Sequence, residues 1–246
     1  NLTLLKQYGM KIISPESGRL ACGDVGSGKM AEPEILFEHI LHACSCQKDM
    51  SGMKVLVTAG PTQEALDPVR YITNHSSGKM GYSIAKACML RGADVTLVTG
   101  KTALTPPLFV DVVPVISASD MYEAVISRSN SMDLIIKAAA VADYRPSQVA
   151  NEKVKKKDAE LSISLERTRD ILKYLGEHKK PGQFLCGFSM ETENMLENSR
   201  KKLENKNLDM IVANNLKVKG AGFETDTNIV TMITPKEVVD IPIMNK

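Results

Sequence analysis

From Lys54 onward, short apolar runs alternate with helix-patterned stretches, and no other feature narrows the fold so far. Strand candidates fall at 54–59, 94–99, 111–115, 133–138, 183–188 and 209–213, and helical patterns near 79–91, 118–129, 168–178 and 193–205. Runs such as Asp133-Leu134-Ile135-Ile136 are almost continuously apolar. That predicts strands covered on both faces, hence a mostly parallel sheet flanked by helices. The last stretch differs: 228–233 and 238–243 flank a turn at Pro235-Lys236 and predict a C-terminal antiparallel hairpin. The expected class is a Rossmann-like α/β fold. Ligands of such sheets sit beyond the carboxyl ends of the strands, and the polar clusters of this chain fall at those ends.

The first of these ends carries the densest signal. Val55-Leu56-Val57 leads into Thr58-Ala59-Gly60-Pro61-Thr62, then Asp67-Pro68-Val69-Arg70-Tyr71-Ile72-Thr73-Asn74, then Ser76-Ser77-Gly78-Lys79-Met80-Gly81 at a helix start. Small residues there leave backbone N–H groups uncovered, and with the helix dipole these favour an anion. Gly78 and Gly81 are expected to let a phosphate-bearing ligand approach the main chain. Arg70 suits either a bidentate grip on an anion or a pairing with a local acid. The Asn74 amide suits a substrate carboxylate or a carbonyl developing charge.

Further along, Lys137-Ala138-Ala139-Ala140-Val141-Ala142-Asp143 ends a strand in small residues and then presents a carboxylate. Asp143 is a candidate for a sugar, a base or a shared magnesium ion; the alternative is a turn cap. Ten residues later comes Lys153-Val154-Lys155-Lys156-Lys157, either a solvated face or a loop whose lysine closes over a triphosphate. Cys186-Gly187-Phe188-Ser189 again reads as strand then loop, with Phe188 available to a nucleobase or to the core. Lys202 and Lys206 share one helix face, wet or phosphate-binding according to where it looks. No Ser/His/Asp triad is visible.

Residues 1–50 look different: a strand at Lys11-Ile12-Ile13, a Gly/Ser-rich loop from Ser14 to Met30, and a helix from Pro33 to Cys44. His39, His42, Cys44 and Cys46 form either a zinc clip or, as expected here, a helix end with exposed thiols. Five cysteines without regular spacing point to reduced thiols in the cytoplasm. A net charge of +2 does not argue for nucleic acid as partner, and neither a membrane span nor a signal peptide is expected.

Taken in order and spacing, these motifs resemble the phosphopantothenate–cysteine ligase (phosphopantothenoylcysteine synthetase) domain of bacterial coenzyme A biosynthesis, over about residues 52–246. Residues 1–50 resemble the tail of the FMN-dependent decarboxylase fused ahead of it, with Ala21-Cys22-Gly23-Asp24 in its flap. The flavin-binding part of that enzyme is absent, so no decarboxylase activity is expected. The resemblance implies a fragment of a bifunctional protein, ending without the last helix common in the family. It implies that CTP activates 4′-phosphopantothenate as an acyl-cytidylate with Mg2+, that L-cysteine then displaces CMP, and that the domain forms a homodimer, part of a larger assembly if the decarboxylase is attached. It places Lys153 at cytidylate formation and Asn74 at its turnover. Nucleotide contacts fall on Lys137, Ala138, Ala139, Asp143, Thr168, Arg169, Asp170, Ile171, Phe188, Lys202 and Lys206, and the substrate signature on Arg70, Ser76, Ser77, Gly78 and Gly81. Thr168-Arg169-Asp170-Ile171 departs from the Asn-Pro-Asp-Ile form of some members.

The sequence speaks against two other functions. A nicotinamide oxidoreductase lacks support, because no Gly-x-Gly-x-x-Gly opens the first helix and Val98-Thr99-Gly100-Lys101 has no acid for a ribose. A nucleotide sensor without turnover would need neither Lys153 nor Asn74 for chemistry, although binding alone could use both.

Overall fold

The computed structural model describes residues 1–156, 161–191, 194–215 and 227–246; Lys157 of the motifs above lies outside these. In chain order the elements are α1 (Leu2–Gln7), β1 (Glu16–Arg19), β2 (Val25–Lys29), α2 (Pro33–Cys44), β3 (Lys54–Ala59), β4 (Gln63–Ala65) and β5 (Tyr71–Thr73). There follow α3 (Lys79–Leu90), β6 (Asp94–Thr99), β7 (Asp111–Pro114), α4 (Ala118–Ser129), β8 (Leu134–Lys137), β9 (Tyr144–Pro146) and β10 (Leu165–Arg167). The chain closes with α5 (Ile171–Glu177), β11 (Phe184–Glu191), α6 (Met195–Asn205), β12 (Met210–Asn215), β13 (Thr227–Ile233) and β14 (Val238–Asn245).

Eight strands form one sheet in the order β14-β13-β12-β11-β8-β3-β6-β7. From β12 to β7 every pair is parallel, and β13 and β14 add the antiparallel edge expected from the terminal apolar segments. The chain winds outward from β3 to β7, then returns to the centre at β8 and winds the other way. That reversal between β3 and β8 is the switch point at which doubly wound sheets open a crevice.

Strand β3 shows why the sheet is covered on both faces. Val55 and Val57 face α3 in one cluster with Tyr82, Ala85 and Met89, while Leu56 joins Met121, Val125, Ile171, Leu185 and Ile211 on the other side. All three are fully buried, as period-2 side chains must be when helices lie above and below. Each such aliphatic side chain contributes about 1.5–3 kcal/mol by leaving water. Helix α4 starts with a reciprocal cap: Ser117 Oγ accepts from Asp120 N and Asp120 Oδ2 accepts from Ser117 N. Buried Glu64 adds to this helix start by accepting from Ala118 N at 2.8 Å.

The N-terminal part departs from expectation. Lys11-Ile12-Ile13 is not a strand, and the stretch taken as a loop contains the β1–β2 hairpin, pairing Ser17 with Ser27 and Gly18 with Gly26. Main-chain bonds and a turn closed by Leu20 and Gly23 hold this hairpin, so side-chain pattern does not advertise it. Helix α2 lies where expected and is fastened to α3 by Lys86–Glu38 at 2.7 Å. His39 and His42 pack on Phe109, Cys44 and Cys46 are exposed thiols, and no metal-binding cluster of His, Cys, Asp or Glu occurs among the described residues. Among the described residues no helix is long and apolar enough to cross a membrane.

Candidate active site

At the switch point the chain leaves β3 through a loop that is stitched to the segment after β8. Thr58 Oγ1 accepts from Ala139 N at 3.1 Å, Ala140 N donates to Gly60 O at 3.0 Å, and Thr62 Oγ1 accepts from Ala142 N at 3.0 Å. The alanines allow this close approach of two backbones. Thr168 adds a third thread, donating from Oγ1 to Ala142 O and from N to Asp143 O.

Around this seam opens a cleft of about 720 Å³, the size of a nucleotide pocket. Its wall contains Ser76, Ser77, Gly78 and Gly81 from the start of α3; Lys137, Ala138, Ala139 and Asp143 after β8; Thr168, Arg169, Asp170 and Ile171 at the start of α5; and Phe188, Lys202 and Lys206 from β11 and α6. Fifteen positions singled out in the sequence thus share one cavity. Arg70, Asn74 and Lys153 do not line it.

The three are placed differently. Asn74 is exposed and donates from Nδ2 to Ala140 O at 3.1 Å, on the rim of the cleft. Arg70 adopts the local-acid alternative, with its guanidinium on Asp67 and on Val154 O. Lys153 is exposed on a segment without regular structure.

Within the wall the residues divide by what they already touch. Asp170 caps α5 through Lys173 N and pairs with Lys206 at 2.7 Å. Burial pushes its carboxyl up, but the Lys206 ammonium and the Lys173 N–H outweigh this and hold it below the usual range. Arg169 pairs with Glu123 and lies over the Tyr122 ring at 4.1 Å. Ile171 belongs to the core at 1 % exposure. Lys202 donates to the main-chain Phe188 O at 3.0 Å, and the Phe188 side chain is half-buried.

Lys137 is half-buried, and its titration falls from 10.5 to about 8. Burial is the main cause, Lys202 and Lys206 push the same way, and Asp170 and Asp143 oppose them. Lysines and arginines therefore outnumber carboxylates in a cleft of a nearly neutral protein, which favours an anionic ligand.

The two glycines also shape the start of α3. Gly78 is the N-cap of α3 at φ 80°, a conformation other residues resist, and it supplies no side-chain cap. A Cβ on Gly81 would lie 2.5 Å from Ala59 Cβ and 2.9 Å from Thr58 O. Its missing side chain lets α3 press against β3, so the close approach is to the protein's own backbone. Met190, Asn214 and Asn228 also line the cleft. They carry no motif; pairing of β12 with β13 brings the two asparagines together, Asn228 Nδ2 donating to Asn214 Oδ1 at 3.3 Å.

Comparison with known proteins agrees with this geometry. The family described as DNA/pantothenate metabolism flavoprotein C-terminal domain matches residues 50–246. The coenzyme A biosynthesis bifunctional protein CoaBC of Bacillus subtilis (strain 168) is 47% identical over 252 residues, covering 100% of this chain and 61% of that protein. Its Haemophilus influenzae counterpart is 47% identical over 228 residues, covering 93% and 57%. The chain thus spans about three-fifths of these curated relatives. A crystal structure of the C-terminal domain of a CoaBC protein superposes with a TM-score of 0.66 at 50% identity, over 78% of this chain and 87% of that one. A Cab2 mutant in complex with phosphopantothenate-cysteine shares the fold at a TM-score of 0.66 and 18% identity, over 84% of each chain.

Proposed function

The chain belongs to the DNA/pantothenate metabolism flavoprotein C-terminal domain family, and from that premise we propose that it is a CTP-dependent phosphopantothenate–cysteine ligase. The observation that carries this reading is the cleft at the switch point, where the N-terminus of α3, Lys137, Lys202, Lys206, Asp143 and the Phe188 ring meet.

The chemistry asks for positioning and charge neutralisation. In the first step a carboxylate oxygen of 4′-phosphopantothenate bonds to the α-phosphorus of CTP and the bond to pyrophosphate breaks. In the second, the amine of L-cysteine bonds to the acyl carbon, CMP leaves, and the amine proton is lost. Neither step needs a protein nucleophile, which accounts for the missing triad. In this reading Phe188 stacks on the base, and Lys137, Lys202, Lys206 and the first turn of α3 receive the phosphates. Lys153 closes on the charge that develops at phosphorus, and Asn74 contacts the acyl carbonyl from the rim. Asp143 fits a magnesium ion held by one carboxylate and completed by phosphate oxygens; the ion would supply further neutralisation. Asp170, already engaged by Lys206, is the poorer ligand. A cytoplasmic homodimer belongs to the same proposal, and the exposed Val239, Ile243 and Met244 of edge strand β14 offer apolar surface for a second copy.

Incubation with phosphopantothenate, CTP and Mg2+ tests the reading. Pyrophosphate release, with acyl-cytidylate building up until cysteine is added, is expected. CTP binding without pyrophosphate would make the protein a sensor, and no binding would overturn the assignment. Phe188→Ala is expected to weaken CTP binding by about 1–3 kcal/mol, as loss of base–aromatic stacking does. Unchanged affinity in calorimetry would return Phe188 to a packing role.

A further inference from the structure

We propose that Asp67 is a positioning residue that clasps the Lys153 segment to the hairpin from which Asn74 emerges. The side chain of Asp67 is wholly enclosed. Its Oδ1 accepts from Val69 N and Arg70 N, both at 2.8 Å. Its Oδ2 accepts from Arg70 Nε at 3.0 Å, from Arg70 Nη2, and from Val154 N at 3.0 Å. These donors occupy the acceptor sites of a carboxylate, so Asp67 is committed to holding rather than to proton transfer or metal binding.

Val154 receives both ends of the clasp. Its N–H goes to Asp67, and its C=O accepts from Arg70 Nη2 at 2.7 Å. Two such bonds do for this irregular segment what a neighbouring strand would do in a sheet. A second fastening lies three residues before Lys153, where Ala150 N donates to Leu66 O at 3.0 Å. Lys153 stands exposed between the two fastenings. The gripping turn joins β4 to β5, and the residue after β5 is Asn74, bonded to Ala140 at the cleft rim. One hairpin thereby fixes two groups, Asn74 and Lys153, that lie 79 residues apart in sequence. An exposed lysine on an unpinned loop would sample many positions; pinning its neighbour raises the fraction poised near the cleft.

The proposal rests on the ligase reading only for the step that Lys153 serves, and two readouts separate the two. Asp67→Asn puts an amide N–H2 or a weaker acceptor where charged and backbone donors now converge. Exchange of the Val154 amide, followed by NMR on the full chain, is expected to accelerate at least about tenfold while core amides of β3 and β8 keep their protection. The kcat for pyrophosphate release is expected to fall about ten- to thirtyfold with the KM for CTP within about twofold, because the cleft wall is untouched. Should Asp67→Asn fail to fold, Val154→Pro removes the N–H that Asp67 receives and leaves the Asp67–Arg70 pair in place; the same kcat loss is expected. Unchanged Val154 exchange in Asp67→Asn, or full kcat in Val154→Pro, would overturn the clasp. If the wild-type chain releases no pyrophosphate, the ligase reading falls, and Val154 exchange alone decides whether the clasp exists.

Discussion

Lys153→Gln is expected to slow pyrophosphate release by about a hundred- to a thousandfold, the usual loss when one charge-stabilising donor leaves a transition state. The fold should survive unchanged, since Lys153 is exposed and its neighbours are held through the backbone of Val154 rather than through the lysine. CTP affinity should also hold to within a few-fold. The triphosphate positions assigned to Lys137, Lys202 and Lys206 lie in the cleft wall, and Lys153 does not. This split between binding and turnover is the signature to look for. Lys153 acts in the proposed mechanism only as charge builds at phosphorus, so its loss belongs in kcat and in kcat/KM equally. Steady-state kinetics with an ordinary kcat would remove Lys153 from the reaction, and a loss confined to KM would make it an ordinary phosphate ligand.

Most of this cleft could be read from the chain because a parallel sheet collects its loops at one edge. The apolar runs at 54–59, 133–138 and 183–188 predict strands of one parallel sheet; the structure makes them neighbours, so the residues just after them meet. Backbone pairings, near and distant in sequence, set what side-chain pattern leaves unmarked. Tyr144–Pro146 pairs with Leu165–Arg167 in a short polar ladder that no side-chain pattern marks. Gly and Ser dominate the strands of the β1–β2 hairpin, so side-chain pattern predicts a loop there, whereas Lys11-Ile12-Ile13 predicts a strand and pairs with none among the described residues. Asn214 and Asn228 reach the cleft wall only because β13 turns back along β12. Arg70 suits either an anion or a local acid by sequence, and its choice depends on an enclosed Asp67 that also accepts from Val154 N, 87 residues on. Gly81 lines the cleft, and the packing of its Cα face against Ala59 is a second demand for glycine that the sequence does not display.

The tuning of Lys137 is likewise invisible in sequence, since it requires α6 to carry Lys202 and Lys206 over the end of β8. It leads to a second large expected effect. Lys137→Met should weaken CTP binding by about 2–3 kcal/mol at pH 7, the loss of a charge-assisted phosphate contact in a partly dry site. The same change should stabilise the empty protein. A lysine that titrates at about 8 in the native state and at 10.5 when unconstrained binds its proton more weakly when folded. Below pH 8 the fold therefore carries a penalty on the order of 3 kcal/mol. Between about 8 and 10.5 the unfolded chain keeps the proton that the native state has released, so the penalty is relieved and stability rises with pH. Methionine has no charge to desolvate. Its variant should melt several degrees higher at pH 7, with the advantage shrinking as pH climbs past 8. Binding runs in the opposite direction: wild-type affinity for the triphosphate should decline as pH rises through 8, and that limb should vanish in Lys137→Met. A variant that loses affinity and also melts lower would mean that Lys137 supports the packing around β8 rather than holding strained charge ready for an anion. A higher melting point with intact affinity would show that the triphosphate lies elsewhere in the cleft. Only opposite movement of the two measurements fits a cation kept in an unfavourable place because a polyanion is to join it there.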